Sequence, residues 1–429
     1  MNHEIDISKH GPLGAPMAEA IRSCVHCGFC LPACPTYGEL GRESDSPRGR
    51  IVLMKEVLEG TMELEAALPH IDACLGCLAC EPACPSGVSY RDLISPFRAM
   101  AAREREVGWG EKLRRRMVLE TLPYPERFRA GARMAGWVKP MADLLPKALR
   151  PMLELLPAVL PKRVRLEGFY AAQGEKRGRV ALLAGCAQQV LDPDINVATI
   201  EVLTRNGVEV VVPQGQGCCG ALSWHVGDHE SAKGFARRNL GAFPDDVDAV
   251  LTNAAGCGSG IHEYPLILRG TEDEEGARKF EAKVCDVSVY LAKLGEMVEF
   301  PEGGVERVVA YHDACHLSNG QGVRKEPRHL LKAVPGLRLV EVRDAHLCCG
   351  SAGTYNIDQP EIAGSLGEQK ARAVLATGAT VVASGNIGCL TQLQMHLQRL
   401  GSEVRVRHTV QVLRDAYMGG EGAVSGGGD

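Results

Sequence analysis

The sequence predicts an α+β chain, with a mostly helical, cysteine-rich N-terminal domain followed by two similar α/β domains, each built on a parallel sheet. Three observations predict it. Eight of the seventeen cysteines form two copies of one short spacing. Beyond residue 178, short apolar runs alternate with helical stretches, which is the pattern of parallel strands joined by crossover helices. That alternation then occurs a second time, with cysteines at matching points in both copies.

The first cysteine run is Cys24-x2-Cys27-x2-Cys30-x3-Cys34-Pro35, and the second is Cys74-x2-Cys77-x2-Cys80-x3-Cys84-Pro85. This is the spacing of bacterial two-cluster ferredoxins. Three closely spaced thiolates hold three corners of a [4Fe–4S] cube, and the fourth, before Pro, reaches across to the other cluster. The runs therefore predict one cluster on Cys24, Cys27, Cys30 and Cys84, a second on Cys74, Cys77, Cys80 and Cys34, and one-electron chemistry. Other uses of these cysteines fit less well. A zinc site takes four ligands from two pairs, a disulfide framework needs an oxidising compartment, and a thioredoxin-like pair needs one C-x-x-C. Leu31, Ala33, Leu75, Leu78 and Ala79 are small or apolar residues suited to shielding clusters from water.

Residues 1–105 form this first domain. Between the two runs, Arg50–Leu58 carries apolar residues at helical spacing, with Pro47-Arg48-Gly49 as its start signal. Arg48 and Arg50 would offset cluster charge or lie solvated, and the residues alone favour the solvated reading. Residues 106–178 contain no cysteine and read as a helical, Pro-rich connecting region. A basic run (Arg103, Arg105, Lys112, Arg114, Arg115, Arg116) opens it, and prolines at 140, 146, 151, 157 and 161 break it into short pieces. Its Met and Leu content would suit a partner or a membrane surface, but connecting helices packed on the flanking domains are the simpler expectation.

The repeat spans 179–300 and 301–418, followed by a tail (419–429) expected to be disordered. In the first half Val180–Ala184 leads to Cys186, Val208–Val212 to Cys218-Cys219-Gly220, and Val247–Thr252 to Cys257. Helical stretches Ile195–Asn206 and Glu230–Phe243 lie between these runs. In the second half Arg307–Tyr311 leads to Cys315, Leu337–Val342 to Cys348-Cys349-Gly350, and Thr380–Ser384 to Cys389. The separations are 32 and 33 residues to the paired cysteines, then 39 and 41 to the last. Ligands of open parallel sheets gather beyond the carboxyl ends of the strands, and all eight cysteines fall there. They are candidate ligands of further iron–sulfur clusters, with buried free thiols as the alternative.

Cys285 has no counterpart in the repeat. Aligning the halves by their ends sets it opposite Arg407, so it reads as a buried structural thiol. His225, His316 and His346 lie near the cysteines, as donors to a cluster, as proton carriers or simply as hydrogen-bonded loop residues. Gly256-Cys257-Gly258-Ser259-Gly260 lacks the Lys of a P-loop, and its glycines are expected to let backbone approach a cluster. No G-x-G-x-x-G opens a helix after a first strand, so no dinucleotide site is indicated. A net charge of −5 argues against a nucleic-acid partner, and 45% apolar with 24% charged residues is ordinary for a globular chain. No run of eighteen apolar residues would span a membrane. The polar start MNHEIDISKH does not read as a signal peptide, so a reducing, cytoplasmic setting is expected.

The stretches CVHCGFCLPACPTYGELG, SPRGRI, CEPACPSGVSY, GCAQ, GCCGA, HLCCGSAGTY and NIGC together resemble the iron–sulfur subunits of bacterial glycolate oxidase, over nearly the full length. The resemblance implies an electron-transfer subunit without catalytic residues, flavin or NAD of its own. Flavoprotein partner subunits would oxidise glycolate to glyoxylate, and the electrons would pass on to quinone or another membrane acceptor. It places the chain in the cytoplasm or at the cytoplasmic face of the inner membrane, and makes Arg48 and Arg50 structural or cluster-facing. Subunits of lactate utilisation and of anaerobic glycerol-3-phosphate dehydrogenase are related alternatives. The repeats also resemble the catalytic subunit of heterodisulfide reductase, whose repeats end in C-x-x-C. Here Ala254 and Gly260 flank Cys257, and Asn386 and Gln392 flank Cys389, so each half has four cysteines rather than five.

Overall fold

The computed structural model describes residues 4–139, 153–157, 159–301 and 307–419. The stretch around Pro140, Pro146 and Pro151, and the tail beyond Gly419, lie outside them. In the N-terminal domain, the helices Gly14–Arg22 and Arg91–Glu104 pack together. A third helix, Pro47–Leu58, lies between the cysteine runs, as its apolar spacing predicts. Pro47 stands at its first position, where the missing N–H costs nothing, and the Ser46 side chain accepts a hydrogen bond from Gly49 N at 2.9 Å. Met17, Ile21, Ile51, Met54, Ile71, Leu93 and Phe97 form the core of this domain.

Nine strands form two sheets among the described residues. β1 (Phe169–Tyr170), β2 (Gly178–Leu182), β3 (Val208–Val211), β4 (Ala249–Thr252) and β5 (Val284–Asp286) are ordered β1-β3-β2-β4-β5. β6 (Arg307–Tyr311), β7 (Leu337–Glu341), β8 (Val381–Ser384) and β9 (Arg405–His408) are ordered β7-β6-β8-β9. All pairings are parallel except that of β1 with β3. β2 and β6 are the first strands of their repeats, and in each case the chain goes to one side of that strand and then returns to the other. The loops after the three strands therefore meet at a topological switch point. β5 and β9 are not foreshadowed by apolar runs: Val-Cys-Asp and Arg-Val-Arg-His are short edge strands whose pairing comes from the neighbouring strand. Their register supports the alignment of the halves, since Cys285 pairs with Leu251 and Arg407 with Ala383.

The two repeats interlock. The last helix of the chain, Thr409–Tyr417, packs on Asp194–Arg205 of the first repeat, and Val287–Lys293 of the first packs on Lys325–Lys332 of the second. Val410, Leu413 and Tyr417 thus join the core of the first sheet. Burying an aliphatic side chain of this size contributes about 1.5–3 kcal/mol. Arg414 adds paired contacts to Asp194 at 2.6 and 2.8 Å.

The connecting helices Trp109–Leu119 and Pro125–Val138 are packed on the repeats. Arg114 pairs with Asp358 at 2.9 Å, Arg115 donates to Val226 O, and buried Arg129 donates to Pro161 O and Gln189 O. Most of the basic run is therefore spent on internal partners, while Trp109 and Trp137 remain exposed.

Candidate metal centres

The two cysteine runs fold the same way. Each puts a left-handed residue immediately before its second cysteine and another immediately after it: His26 and Gly28 around Cys27, Gly76 and Leu78 around Cys77. For His26 and Leu78 this conformation is strained, and it folds each loop back so that its thiols face inward. Arg48 fixes the first loop by donating to His26 O at 2.9 Å while its Nε pairs with Glu43 at 2.8 Å.

Two cavities result. Cys24, Cys27, Cys30 and Cys84, with Arg48 and Tyr90, line one of about 400 Å³, to whose wall Cys80 also contributes. Cys34, Cys74, Cys77 and Cys80, with Arg50 and again Tyr90, line the other, of about 310 Å³. The donors in both are thiols, with guanidinium groups beside them, a set that suits thiolate-held iron and its net negative charge. The first cavity is near solvent: Cys27 is exposed, and Val25 and Phe29 are each 67% exposed. The second is about as open, but its lining is more buried, with Cys34, Cys74, Cys77, Leu75, Leu78 and Ala79 around it.

Arg50 is 1% exposed, contrary to the solvated reading favoured by the residues alone. It donates to His70 O at 2.7 Å, lies 3.8 Å from Asp45, and points Nη1 at Cys34 Sγ, 3.7 Å away. Burial pushes the Cys74 thiol up, but Arg50 and Arg98, helped by the Gly76 N–H, more than offset it and leave its pKa lowered. Cys77 has no such cation: burial, then the nearby Cys315 thiol, push it well up. Burial likewise takes Cys30 to about 11. Metal binding to these thiols must therefore expel protons.

The repeats gather their cysteines as the switch-point topology requires. Cys186 Sγ lies 3.5 Å from Cys218 Sγ, and Cys315 Sγ lies 3.8 Å from Cys348 Sγ. The second member of each pair, Cys219 or Cys349, sits between two thiols. Hydrogen bonds from Cys218 and Cys257 hold Cys219 well below the ordinary thiol range, and those from Cys348 and Cys389 do the same for Cys349. The flanking thiols are pushed up correspondingly. Each half thus brings four sulfurs into one contiguous group.

The second of these groups adjoins the N-terminal domain. Cys77, Leu75 and Ala79 share a buried apolar cluster with Cys315, Cys348 and Tyr355. Tyr355 Oη donates to Ala73 O at 2.8 Å, and Asn319 Nδ2 to Cys77 O at 3.3 Å. Arg98 ties the other side, donating to Ile71 O at 2.9 Å and to His225 O at 3.2 Å.

Of the flagged histidines, His346 is exposed and His316 is half-buried with its ring 5.3 Å from that of His225. His225 pairs with buried Glu263 at 3.3 Å, which also accepts from Trp224 Nε1 at 2.5 Å. The glycines around Cys257 serve helix packing. They lie within the helix Ala255–His262, where Gly258 makes room for Gln321 and Gly260 for Ala221. Cys285 is half-buried against the first-repeat core. Two residues beside the second cysteine group were not singled out in the sequence. They are His312, in the stretch YHDAC, and buried Lys370, which donates to Asp344 O at 2.6 Å.

Comparison with known proteins agrees with this arrangement. Residues 20–88 match the model of a 4Fe-4S dicluster domain, and residues 180–262 and 309–394 each match that of a cysteine-rich domain. The chain is 37% identical over 415 residues to the probable glycolate oxidase iron-sulfur subunit of Bacillus subtilis (strain 168), covering 92% of this chain and 93% of that protein. It is 35% identical over 402 residues to the glycolate oxidase iron-sulfur subunit of Escherichia coli (strain K12), covering 92% and 94%. Lactate utilization protein A of Halalkalibacterium halodurans is 30% identical over 236 residues, 55% of this chain and 96% of that protein. Two thiol-lined cavities ahead of two matching four-cysteine groups, together with full-length similarity, identify the chain as a member of the family of glycolate oxidase iron–sulfur subunits, with an electron-transfer role.

Proposed function

We propose that this chain is the electron-transfer subunit of a glycolate dehydrogenase complex, taking electrons from flavoprotein partner subunits and passing them towards quinone at the cytoplasmic face of the membrane. Substrate oxidation belongs to the partners, and no residue of this chain is assigned to it. Cys24, Cys27, Cys30 and Cys84 hold one [4Fe–4S] cluster, and Cys74, Cys77, Cys80 and Cys34 the other. The groups Cys186, Cys218, Cys219, Cys257 and Cys315, Cys348, Cys349, Cys389 hold further iron. Bound clusters supply one-electron transfer at potentials set by burial and nearby charge. The protein's part is to ionise the thiols, exclude water and fix the order. Arg50 and Arg98 favour the Cys74 thiolate, while Leu75, Leu78 and Ala79 keep the second cavity dry. The exposed first cavity makes the natural entrance.

The observation that carries this reading is the shared apolar cluster of Cys77 with Cys315 and Cys348, which continues the path from the dicluster domain into the second repeat. Four rather than five cysteines per half weigh against a disulfide reductase. The test is anaerobic purification with iron and sulfide counts, followed by co-expression with the flavoproteins. About eight iron per chain is expected from two clusters and about twelve or more with the repeats loaded. A count near eight that Cys218→Ala and Cys348→Ala leave unchanged sinks the repeat centres. Glycolate-dependent quinone reduction that persists without this chain sinks the relay. Lactate in place of glycolate tests the nearest alternative substrate.

A further inference from the structure

The two cysteine groups differ at one position that the strand register makes comparable. Leu183 N donates to Leu251 O at 2.9 Å in the first sheet, and His312 N donates to Ala383 O at 2.9 Å in the second. Leu251 and Ala383 are themselves equivalent, since they pair with Cys285 and Arg407 at corresponding places on the edge strands. Leu183 and His312 each stand three residues before the first cysteine of their half. The first is an apolar side chain packed with Cys218 and Cys219. The second is an imidazole with 0% exposure whose ring nitrogens make no well-formed hydrogen bond among the described residues and whose polar neighbour is the Cys349 thiol, which it helps to hold below the ordinary range.

A buried polar group without a well-formed hydrogen bond costs about 1–3 kcal/mol, and a thiol is a weak partner, so this side chain is suited to binding a ligand. Its nearest metal-binding neighbours supply the context. A ring nitrogen of His312 and the sulfurs of Cys349 and Cys389 all lie within 4.8 Å of one another, and all three residues are buried. Cys348 and Cys315 complete the same group. Imidazole is a good iron ligand, and replacing thiolates by histidine raises a cluster's potential.

We infer that His312 is a fifth ligand of the second-repeat iron centre, so that this half holds a Cys/His site and the first half an all-cysteine one. The inference rests on the reading that the second-repeat cysteines hold iron. His312 would add a fifth ligand from the loop after β6, not from the positions flanking Cys389. Leu183 gives the first half nothing comparable. The two repeats, alike in fold, would hold centres of unlike ligation and hence of unlike potential.

The experiment is pulsed electron paramagnetic resonance on the full-length, anaerobically purified and reduced chain, grown with and without 15N-labelled histidine. A directly bonded histidine nitrogen is expected in the wild type and is expected to vanish in His312→Leu. His312→Cys keeps a ligand, so it should retain the wild-type iron count while losing the nitrogen coupling and lowering the midpoint potential of one centre. That variant also keeps the test open should His312→Leu fold poorly. Iron in the second repeat, lost in Cys348→Ala, without histidine coupling overturns the inference alone. No iron there at all overturns it together with the reading on which it rests.

Discussion

Arg50 Nη1 lies 3.7 Å from Cys34 Sγ, so the guanidinium of the helix Pro47–Leu58 is aimed at the thiol that closes the first cysteine run. Its other contacts are the carboxylate of Asp45, equally buried, and the carbonyl of half-buried His70. In Arg50→Leu, Asp45 keeps Arg42 at 2.7 Å and His70 at 2.8 Å, so the loss falls on His70 O and on the buried Cys34 and Cys74 thiols, at about 1.5–3 kcal/mol for a hydrogen bond to a charged group. The variant should melt earlier and lose about four iron per chain. Arg50→Lys should retain most of the iron but melt below the wild type, because a point charge cannot serve the three partners at once. Thermal melts and iron counts on the same preparations decide this. Wild-type iron in Arg50→Leu would remove the arginine from the second cavity's support.

Tyr355→Phe tests the seam between the dicluster domain and the second repeat. Tyr355 is 6% exposed, and its hydroxyl is donated to Ala73 O. Removing it leaves a buried carbonyl short of a partner, at about 1–2 kcal/mol. Tyr355→Ala should cost about 3–5 kcal/mol by opening a cavity beside Cys77 and Cys348. Denaturant titration of the holoprotein checks both values and their order.

Gly227→Ala tests the opposite seam. Gly227 has φ of +86°, and a Cβ there would run into the carbonyl of Arg98. Backbone cannot give way as a side-chain tip can, so the helix Arg91–Glu104 must shift away from the first repeat. We expect a loss well above the roughly 1 kcal/mol of left-handed strain alone, together with faster proteolysis between the two domains. Gly60→Ala, with a similar φ of +75° and open space around it, is the control that isolates the strain.

The stability of the interlocked repeats should depend on pH through Asp286. This carboxylate caps the helix Val287–Lys293, and burial raises its pKa to about 6. The folded state therefore holds its proton more tightly than the unfolded chain. That preference stabilises the fold fully below the unfolded pKa, near 3.8, and is lost as pH rises through about 6. Asp286→Asn keeps an oxygen for the cap without the charge. Its melting temperature relative to wild type should rise between pH 4 and 7, by a gain of at most about 3 kcal/mol. A difference that stays flat across this range would mean that Asp286 ionises in the fold at its ordinary pKa.

Much of the arrangement was legible because it is local. Cysteine spacing within each run, the Pro47 start and the apolar runs ahead of Cys186 and Cys315 are short-range signals, and helices and strands formed where those signals lay. β5 and β9 were missed because a three- or four-residue edge strand owes its existence to the strand beside it rather than to its own residues. The packing role of the glycines near Cys257 was not legible because a close helix contact and a close cluster contact demand the same absent Cβ. From the residues alone Arg50 was misjudged, and only the SPRGRI resemblance pointed the right way, because charge on a helix face says nothing about which face is covered.

By itself, the sequence determined the inventory: two four-cysteine runs, two copies of a strand-and-cysteine pattern, and their order along the chain. Only the tertiary structure decided the neighbours. It set Cys77 beside Cys315 and Cys348, joined the last helix to the first sheet, and put His312 rather than a flagged histidine against Cys349 and Cys389. The reason is physical. Spacing governs contacts within a loop or a turn, whereas contacts across hundreds of residues depend on which apolar faces bury one another, and that is settled by the whole fold at once.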